Sequence, residues 1–170
     1  MTASLAAPPT LTRRQALTFG FLTAILILAL DQITKWWIVG KVMDPPRAIE
    51  VTPFFNLVMV WNRGITFGLF GDAQWGRWAF AVLALGIVVV LITWLMRAAQ
   101  RWVAGALGLI IGGAIGNVID RVRWGAVADF LDFHMAGWHW PAFNVADSAI
   151  VVGVGLLLLD ALFGRKDSLQ

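Results

Sequence analysis

The stretch that decides the fold is residues 78–96, which read WAFAVLALGIVVVLITWLM. These 19 consecutive residues carry no charge, and a helix needs about 20 apolar residues to cross the hydrocarbon core of a bilayer. The stretch around residues 16–39 is also apolar but contains Asp31 and Lys35; no signal-peptide cleavage motif follows it, so we interpret it as a retained helix. The whole pattern predicts transmembrane helices at about residues 16–39, 76–96, 102–119 and 145–163.

The composition is that of an integral membrane protein. The chain has 170 residues, 59% of them hydrophobic and 14% charged, with a mean hydropathy of +0.77. Soluble domains average about 45–50% apolar and ~25% charged residues. The net charge of +3 gives no support for nucleic-acid binding, and the absence of cysteine excludes disulfides and a cysteine nucleophile. We expect a single domain over residues 1–170.

Two long connections, roughly residues 40–74 and 120–144, fall on the same side of the membrane when the four helices alternate. In the first of them, Val51–Trp61 and Ile65–Phe70 flank Asn62-Arg63-Gly64, which has hairpin-turn chemistry. The predicted fold class is therefore an all-α membrane protein with four transmembrane helices and a small extracytoplasmic β-sheet region. A sheet this apolar is expected to rest on the bilayer interface.

Acidic residues gather at the membrane face that carries the long connections. An ionisable group within a span costs about 2.5–3.5 kcal/mol on insertion scales, so its presence indicates a task or a partner. Asp31 and Lys35 have i, i+4 spacing, which predicts either an ion pair near the headgroups or a functional role. The acids at the span ends of this face and in the second long connection are Asp31, Asp120, Asp129, Asp132 and Asp147.

Polar neighbours accompany two of these acids. Asn117, Asp120 and Arg121 share one helical face, and Asn144 and Asp147 are spaced i, i+3. The simpler interpretation of Asp120 is a salt bridge with Arg121 or Arg123 at the helix end. Either Asn144 or Asp147 could cap the fourth helix. Asp132 is expected to be a loop residue.

A pair of aspartates is the best-supported chemistry. A metal hydrolase lacks ligands, because His134 and His139 are the only histidines and H-E-x-x-H does not occur. A serine hydrolase is disfavoured because Ser148 has neither the G-x-S-x-G context nor an obvious histidine base. Two adjacent carboxyls share one proton, so that one activates water while the other protonates the substrate carbonyl. The residues alone do not choose between Asp120, Asp129 and Asp132 as the partner in such a pair.

Five motifs resemble the signature blocks of one family, lipoprotein signal peptidase (signal peptidase II), and occur in the family's order. They are Asp31-Gln32-Ile33-Thr34-Lys35, Trp61-Asn62-Arg63-Gly64, the block from Gly112 to Arg121, Val127-Ala128-Asp129-Phe130, and Phe143-Asn144-Val145-Ala146-Asp147-Ser148.

The resemblance implies an aspartyl endopeptidase whose catalytic dyad is Asp129 and Asp147. It also implies that the polar side chains shaping the site are Asp31, Asn62, Asn117, Asp120, Arg121 and Asn144. The implied substrate is a diacylglyceryl prolipoprotein, cut on the amino side of its lipidated cysteine, with membrane lipid as the other partner and no cofactor or metal.

The resemblance further implies a bacterial inner-membrane protein with both termini in the cytoplasm and the dyad at the outer, periplasmic face. The two arginines at the ends of the short connection, Arg97 and Arg101, favour the same orientation. Two other interpretations remain open on the residues. One is a proton-coupled transporter, although clustering of acids at one face argues against it; the other is a non-catalytic anchoring subunit whose acids only form ion pairs.

Overall fold

The computed structural model describes residues 11–64 and 74–163. Within them lie four long apolar helices and a small antiparallel sheet, so the predicted fold class is confirmed. The elements, in chain order, are α1 (Arg13–Trp37, continuing as a π-helical turn Ile38–Val42), β1 (Ile49–Thr52), β2 (Phe55–Asn62), α2 (Gln74–Leu95), α3 (Arg101–Trp124), β3 (Val127–Met135), β4 (Trp138–His139) and α4 (Val145–Phe163).

Helix α3 is the centre of the molecule. It packs against α1, α2 and α4 and is buried over most of its length, whereas the other three helices bury few of their residues and expose many. Those exposed side chains are apolar, as in Leu22, Val90 and Val151. A bundle with an apolar exterior suits lipid as its solvent, since hydrocarbon does not penalise exposed aliphatic groups.

Small residues allow the helices to approach closely. Gly112 of α3 faces the backbone of Ala24 in α1, and an added Cβ would collide with the Ala24 carbonyl oxygen. Gly116, one turn further along, faces Asp31, whose Oδ2 would lie 2.5 Å from an added Cβ. Membrane helices associate largely through such packing of small residues, because water does not drive their association. The glycines therefore bring polar atoms of α1 and α3 into contact.

Helix α3 runs beyond the predicted end at residue 119. It ends at Gly125, whose φ of 75° is left-handed and whose N–H donates to the Arg121 carbonyl oxygen over 3.1 Å. Glycine is the residue that ends helices in this way. The prediction ended early because hydropathy detects only the apolar part of a helix, whereas the helix itself ends at the glycine. Asp120 and Arg121 are consequently held rigidly in the last turns of α3.

The sheet has the order β1-β2-β3-β4, and it corrects two expectations. The stretch Val51–Trp61 is not one strand: a turn at Pro53–Phe54 separates β1 from β2. The proposed partner Ile65–Phe70 lies outside the described residues. Asp132, expected in a loop, lies on β3 together with Asp129, because the run from Val127 to Leu131 is apolar around Asp129 and pairs with β2.

Candidate active site

Asp129 is a buried carboxyl on β3. Its side chain accepts hydrogen bonds from Asn62 Nδ2 at 3.0 Å and from Asn144 Nδ2 at 2.7 Å. Asn62 reaches it because Val60 is the cross-strand partner of Asp129, which makes Asn62 a diagonal neighbour on the same face. Burial, together with the charge of Asp147, raises the pKa of Asp129 to about 6 against the lowering effect of the two asparagine donors.

Asp147 lies in the first turn of α4 and is partly exposed. Its Oδ1 accepts from Asn117 Nδ2 at 2.8 Å, and its Oδ2 accepts from the Asn144 backbone N–H at 3.2 Å. Asn144 in turn accepts from the Asp147 N–H through Oδ1 at 2.9 Å. This reciprocal pair caps α4, so the cap is provided by Asn144 with Asp147 as its partner.

Asn144 connects the two carboxyls. Its side-chain nitrogen donates to Asp129 Oδ1 while its backbone nitrogen donates to Asp147 Oδ2. Asn117 completes the network, because its Oδ1 receives Asn144 Nδ2 at 3.3 Å and its Nδ2 donates to Asp147. One buried residue, Asn144, thus holds both acids in one site at the end of the bundle.

A buried charge cluster lies next to this network. Lys35 Nζ is 2.9 Å from Asp31 Oδ2, 2.7 Å from Asp120 Oδ2 and 3.1 Å from Asn117 Oδ1, and the three charged side chains are fully buried. The predicted Asp31–Lys35 pair is present, but inside the protein rather than at the headgroups. The expected salt bridge of Asp120 with Arg121 or Arg123 is wrong. Asp120 points toward α1 because Gly116 lets that helix approach.

The charge cluster also forms hydrogen bonds with the backbone next to Asp129 and Asp147. Asp120 Oδ2 accepts from the N–H of Ala128, the residue before Asp129, at 3.2 Å. Asp31 Oδ1 accepts from the N–H of Ala146, the residue before Asp147, at 3.0 Å. Two carboxylates joined by one lysine therefore determine where β3 and α4 present their acids.

Two further side chains complete the surroundings of the site. Arg121 Nη1 donates to the Asn117 carbonyl oxygen at 3.2 Å, and its guanidinium lies 5.5 Å from the ring centroid of Phe80 on α2. Gln32 Nε2 contacts both Asp31 Oδ2 and Asp120 Oδ1 at 3.1 Å. The structure thus brings together all eight residues singled out from the sequence. Gln32 and Lys35 were not among them, although the first motif contains both.

Asp132 makes no hydrogen bond to this network. It accepts from Asn56 Nδ2 at 2.9 Å and pairs with His139 Nδ1 at 2.9 Å. Desolvation acts to raise the pKa of Asp132, but the hydrogen bonds from His139 and Asn56 outweigh it and lower the pKa below its usual value. Among residues 11–64 and 74–163, no group of three or more potential ligands is placed to hold a metal ion. The expectation of metal-free chemistry stays a prediction.

Fold and site together define a class: a membrane protein whose described residues form four long apolar helices, with two aspartates joined through Asn144 at one end of the bundle. Such a carboxyl pair is the arrangement that aspartate-based hydrolysis requires. Comparison with known proteins gives the particular family. The family model of signal peptidase II matches residues 23–163, and the chain belongs to that family of peptidases.

Individual relatives agree with the family model. The lipoprotein signal peptidase of Paraburkholderia phytofirmans is 49% identical over 165 residues, which is 95% of this chain and 94% of the relative. That of Aeromonas hydrophila is 48% identical over 146 residues, covering 84% and 87% of the two chains. A bacterial membrane enzyme solved at 1.9 Å superimposes with a TM-score of 0.73 at 32% identity, over 89% of this chain and 95% of the other. The resemblance drawn from the motifs is confirmed, and the transporter interpretation has no support.

Proposed function

We propose that Asp129 and Asp147 are the catalytic pair with which this signal peptidase II removes signal peptides from prolipoproteins. The observation that carries the proposal is the bridge through Asn144, which donates to Asp129 at 2.7 Å and to Asp147 at 3.2 Å. No other pair of acids in the described residues is joined through an asparagine and includes a partly exposed carboxyl. Asp31 and Asp120 are fully buried and form ion pairs with Lys35, and Asp132 pairs with His139.

The two carboxyls have environments suited to different roles. Burial and the raised pKa, about 6, make Asp129 the carboxyl that more readily holds the shared proton. Asp147 lies in the first turn of α4, where the helix dipole favours a negative charge, and is partly open to water. Asp147 is therefore the base and Asp129 the acid.

Hydrolysis then follows in two proton-balanced steps. Asp147 takes a proton from water as the oxygen attacks the scissile carbonyl carbon, and Asp129 gives its proton to the carbonyl oxygen. On collapse of the tetrahedral intermediate, Asp147 returns its proton to the leaving amine and Asp129 recovers one from the new hydroxyl. Hydrogen bonds from Asn62, Asn117 and Asn144 keep the carboxyls in place, so that the carboxyls need little reorganisation during the reaction.

The surroundings of the pair suit a lipid-modified substrate. An apolar groove of about 250 Å³ runs between α2, α3 and α4, and Asn117 and Arg121 lie among its lining residues beside Phe80, Ala114 and Ile150. An acyl chain or an apolar peptide segment can lie in this groove without leaving the bilayer. This supports a diacylglyceryl prolipoprotein as substrate, with cleavage on the amino side of its lipidated cysteine.

The proposed orientation places both termini in the cytoplasm of a bacterial cell and the dyad at the outer face of the inner membrane. The starts of α1 and α3 lie at the end of the bundle opposite the acids, and the short connection there, residues 97–101, carries two arginines, Arg97 and Arg101. Cytoplasmic loops carry an excess of arginine and lysine. That bias supports a cytoplasmic position for the end of the bundle that is remote from the dyad.

The test is cleavage of a purified diacylglyceryl prolipoprotein by the purified enzyme in detergent, followed by gel shift. We expect Asp129→Asn and Asp147→Asn each to abolish cleavage, because neither amide can exchange the proton. The matched control is Asp160→Asn, which removes the same charge from the far end of α4. Folding of all three variants is compared by thermal unfolding.

Each outcome decides a different part of the proposal. Loss of cleavage in the first two variants, with full activity in the control, supports the pair. Persistent cleavage by Asp129→Asn or Asp147→Asn would show that the dyad is assigned wrongly. Cleavage of an unmodified precursor at the same rate would refute the requirement for the lipidated cysteine.

A further inference from the structure

A second groove lies at the end of the bundle remote from the dyad, between the first turns of α1 and α3. Its volume is about 680 Å³, and Arg14, Thr18, Phe19, Leu22 and Arg101 line it. Its wall is built by the fold, since the Leu11 N–H donates to the Ala99 carbonyl oxygen at 2.7 Å and ties the start of α1 to the α2–α3 connection. The proposed peptidase activity uses none of these residues.

The polar part of the groove is suited to an anion. Arg101 is held in position by Phe19, whose ring centroid lies 5.0 Å from the guanidinium carbon. Arg14 and Arg101 are both exposed, and neither has an ion-pair partner among residues 11–64 and 74–163. Neither α1 nor α3 has an acidic residue in its first turn, and the first N–H groups of α3 receive no side-chain cap. Helix starts of this kind favour negative charge.

The remaining part of the groove is apolar and continues along the bundle. Phe19 forms its floor, packed over Gly105 of α3, where an added Cβ would lie 3.0 Å from the ring. Beyond it, Leu22, Ile25 and Leu26 form an exposed apolar strip on α1. A ligand that matches both parts carries an anionic head and a hydrocarbon chain that points toward the middle of the bilayer.

We propose that this groove binds one anionic glycerophospholipid, with its phosphate between Arg14 and Arg101 and an acyl chain along Phe19 and Leu22. Basic pockets between transmembrane helices are typical binding sites for such headgroups. The two arginines and the apolar strip are adjacent, so one lipid molecule satisfies both at once. A zwitterionic lipid would bring its own positive charge to the arginines and bind less well.

The experiment is a lipid titration of the purified full-length enzyme in a neutral detergent, followed by native mass spectrometry. The probes are phosphatidylglycerol, phosphatidylcholine with the same acyl chains, and inorganic phosphate as competitor. We expect one saturable phosphatidylglycerol site, weakened about fivefold by Arg14→Gln or by Arg101→Gln, which corresponds to the ~1 kcal/mol per arginine near a membrane surface. The matched control, Arg97→Gln, removes an exposed arginine of the same connection that does not line the groove.

The outcomes distinguish a specific lipid-binding site from non-specific attraction of anionic lipid to surface arginines. Selective loss in the two groove variants, with cleavage activity retained in all three, supports the proposal. Equal loss in Arg97→Gln would mean that any arginine at this face attracts anionic lipid, and the proposal would be wrong. Displacement by inorganic phosphate at the lipid's own concentration, or unchanged affinity in Leu22→Ser, would show that the groove takes a free anion instead of a lipid.

Discussion

Replacing Lys35 with methionine tests the structural argument most directly. Lys35 is fully buried and is the shared partner of Asp31 at 2.9 Å and Asp120 at 2.7 Å. Methionine occupies a similar volume but has no charge, so the variant leaves two buried carboxylates facing each other without a cation. One of them must then be protonated or the helices must separate.

The expected loss of stability follows from the cost of breaking a buried ion pair. Removing one partner of such a pair costs about 3–5 kcal/mol, because the remaining charge stays desolvated. For a chain of this size, 1 kcal/mol corresponds to about 2–4 °C in Tm, so Lys35→Met should lower Tm by about 6–20 °C. Cleavage should fall about 100-fold, since Asp31 and Asp120 hold the N–H groups of Ala146 and Ala128 beside the dyad.

The assay is thermal unfolding in detergent together with the gel-shift cleavage assay. Lys41→Met is the control, because Lys41 is exposed and makes no ion pair in the described residues. Combining Lys35→Met with Asp31→Asn and Asp120→Asn removes the unpaired charges but keeps a side-chain oxygen to accept from each backbone N–H, so it should recover most of the lost Tm. A Tm for Lys35→Met within 2 °C of the Lys41→Met value would refute the reasoning.

Two other predictions concern the site and the helix packing. The pKa of Asp129 rises from 3.8 to about 6 on folding, so the native state binds the proton more tightly than the unfolded state; its contribution to the free energy of unfolding is full below pH 3.8 and is lost as pH rises through about 6. Thermal unfolding across that range should show this component in the wild type but not in Asp129→Asn, and identical pH profiles would contradict it. Gly116→Ala places a Cβ 2.5 Å from Asp31 Oδ2 and should cost about 1–3 kcal/mol by overpacking. The same change at Gly86, in the interior of α2 with nothing within 4 Å, should not lower Tm, because alanine favours the helix more than glycine does. Equal losses at the two glycines would refute the packing argument.

The site shows why an ion-pair partner can be predicted from the sequence for Asp31 but not for Asp120. Asp31 and Lys35 are one helical turn apart, so their pairing follows from spacing alone. Asp120 is 85 residues from Lys35 in the sequence, and its expected partners were the arginines next to it. The contact between them depends on Gly116, because only a close crossing of α1 and α3 brings the two side chains within 2.7 Å.

The sequence by itself determined the class of the fold and the end of the bundle at which the acids meet. A long uncharged stretch such as residues 78–96 crosses a bilayer as a helix, since a spanning helix satisfies its own backbone hydrogen bonds. Alternation of four helices then collects Asp31, Asp120 and Asp147 at one face without any knowledge of packing. The motifs added the choice of Asp129, which spacing left open.

Tertiary structure alone decided how those residues contact one another. The pairing of β3 with β2, the contact of Asn144 with Asp129 and the contacts of Lys35 with Asp120 and Asn117 all join segments that are separate in the chain. Periodicity reports which face of one element is apolar, but it contains no distances between elements. Those distances arise from how closely glycines let helices pack and from which buried donors find acceptors, and both are properties of the assembled bundle.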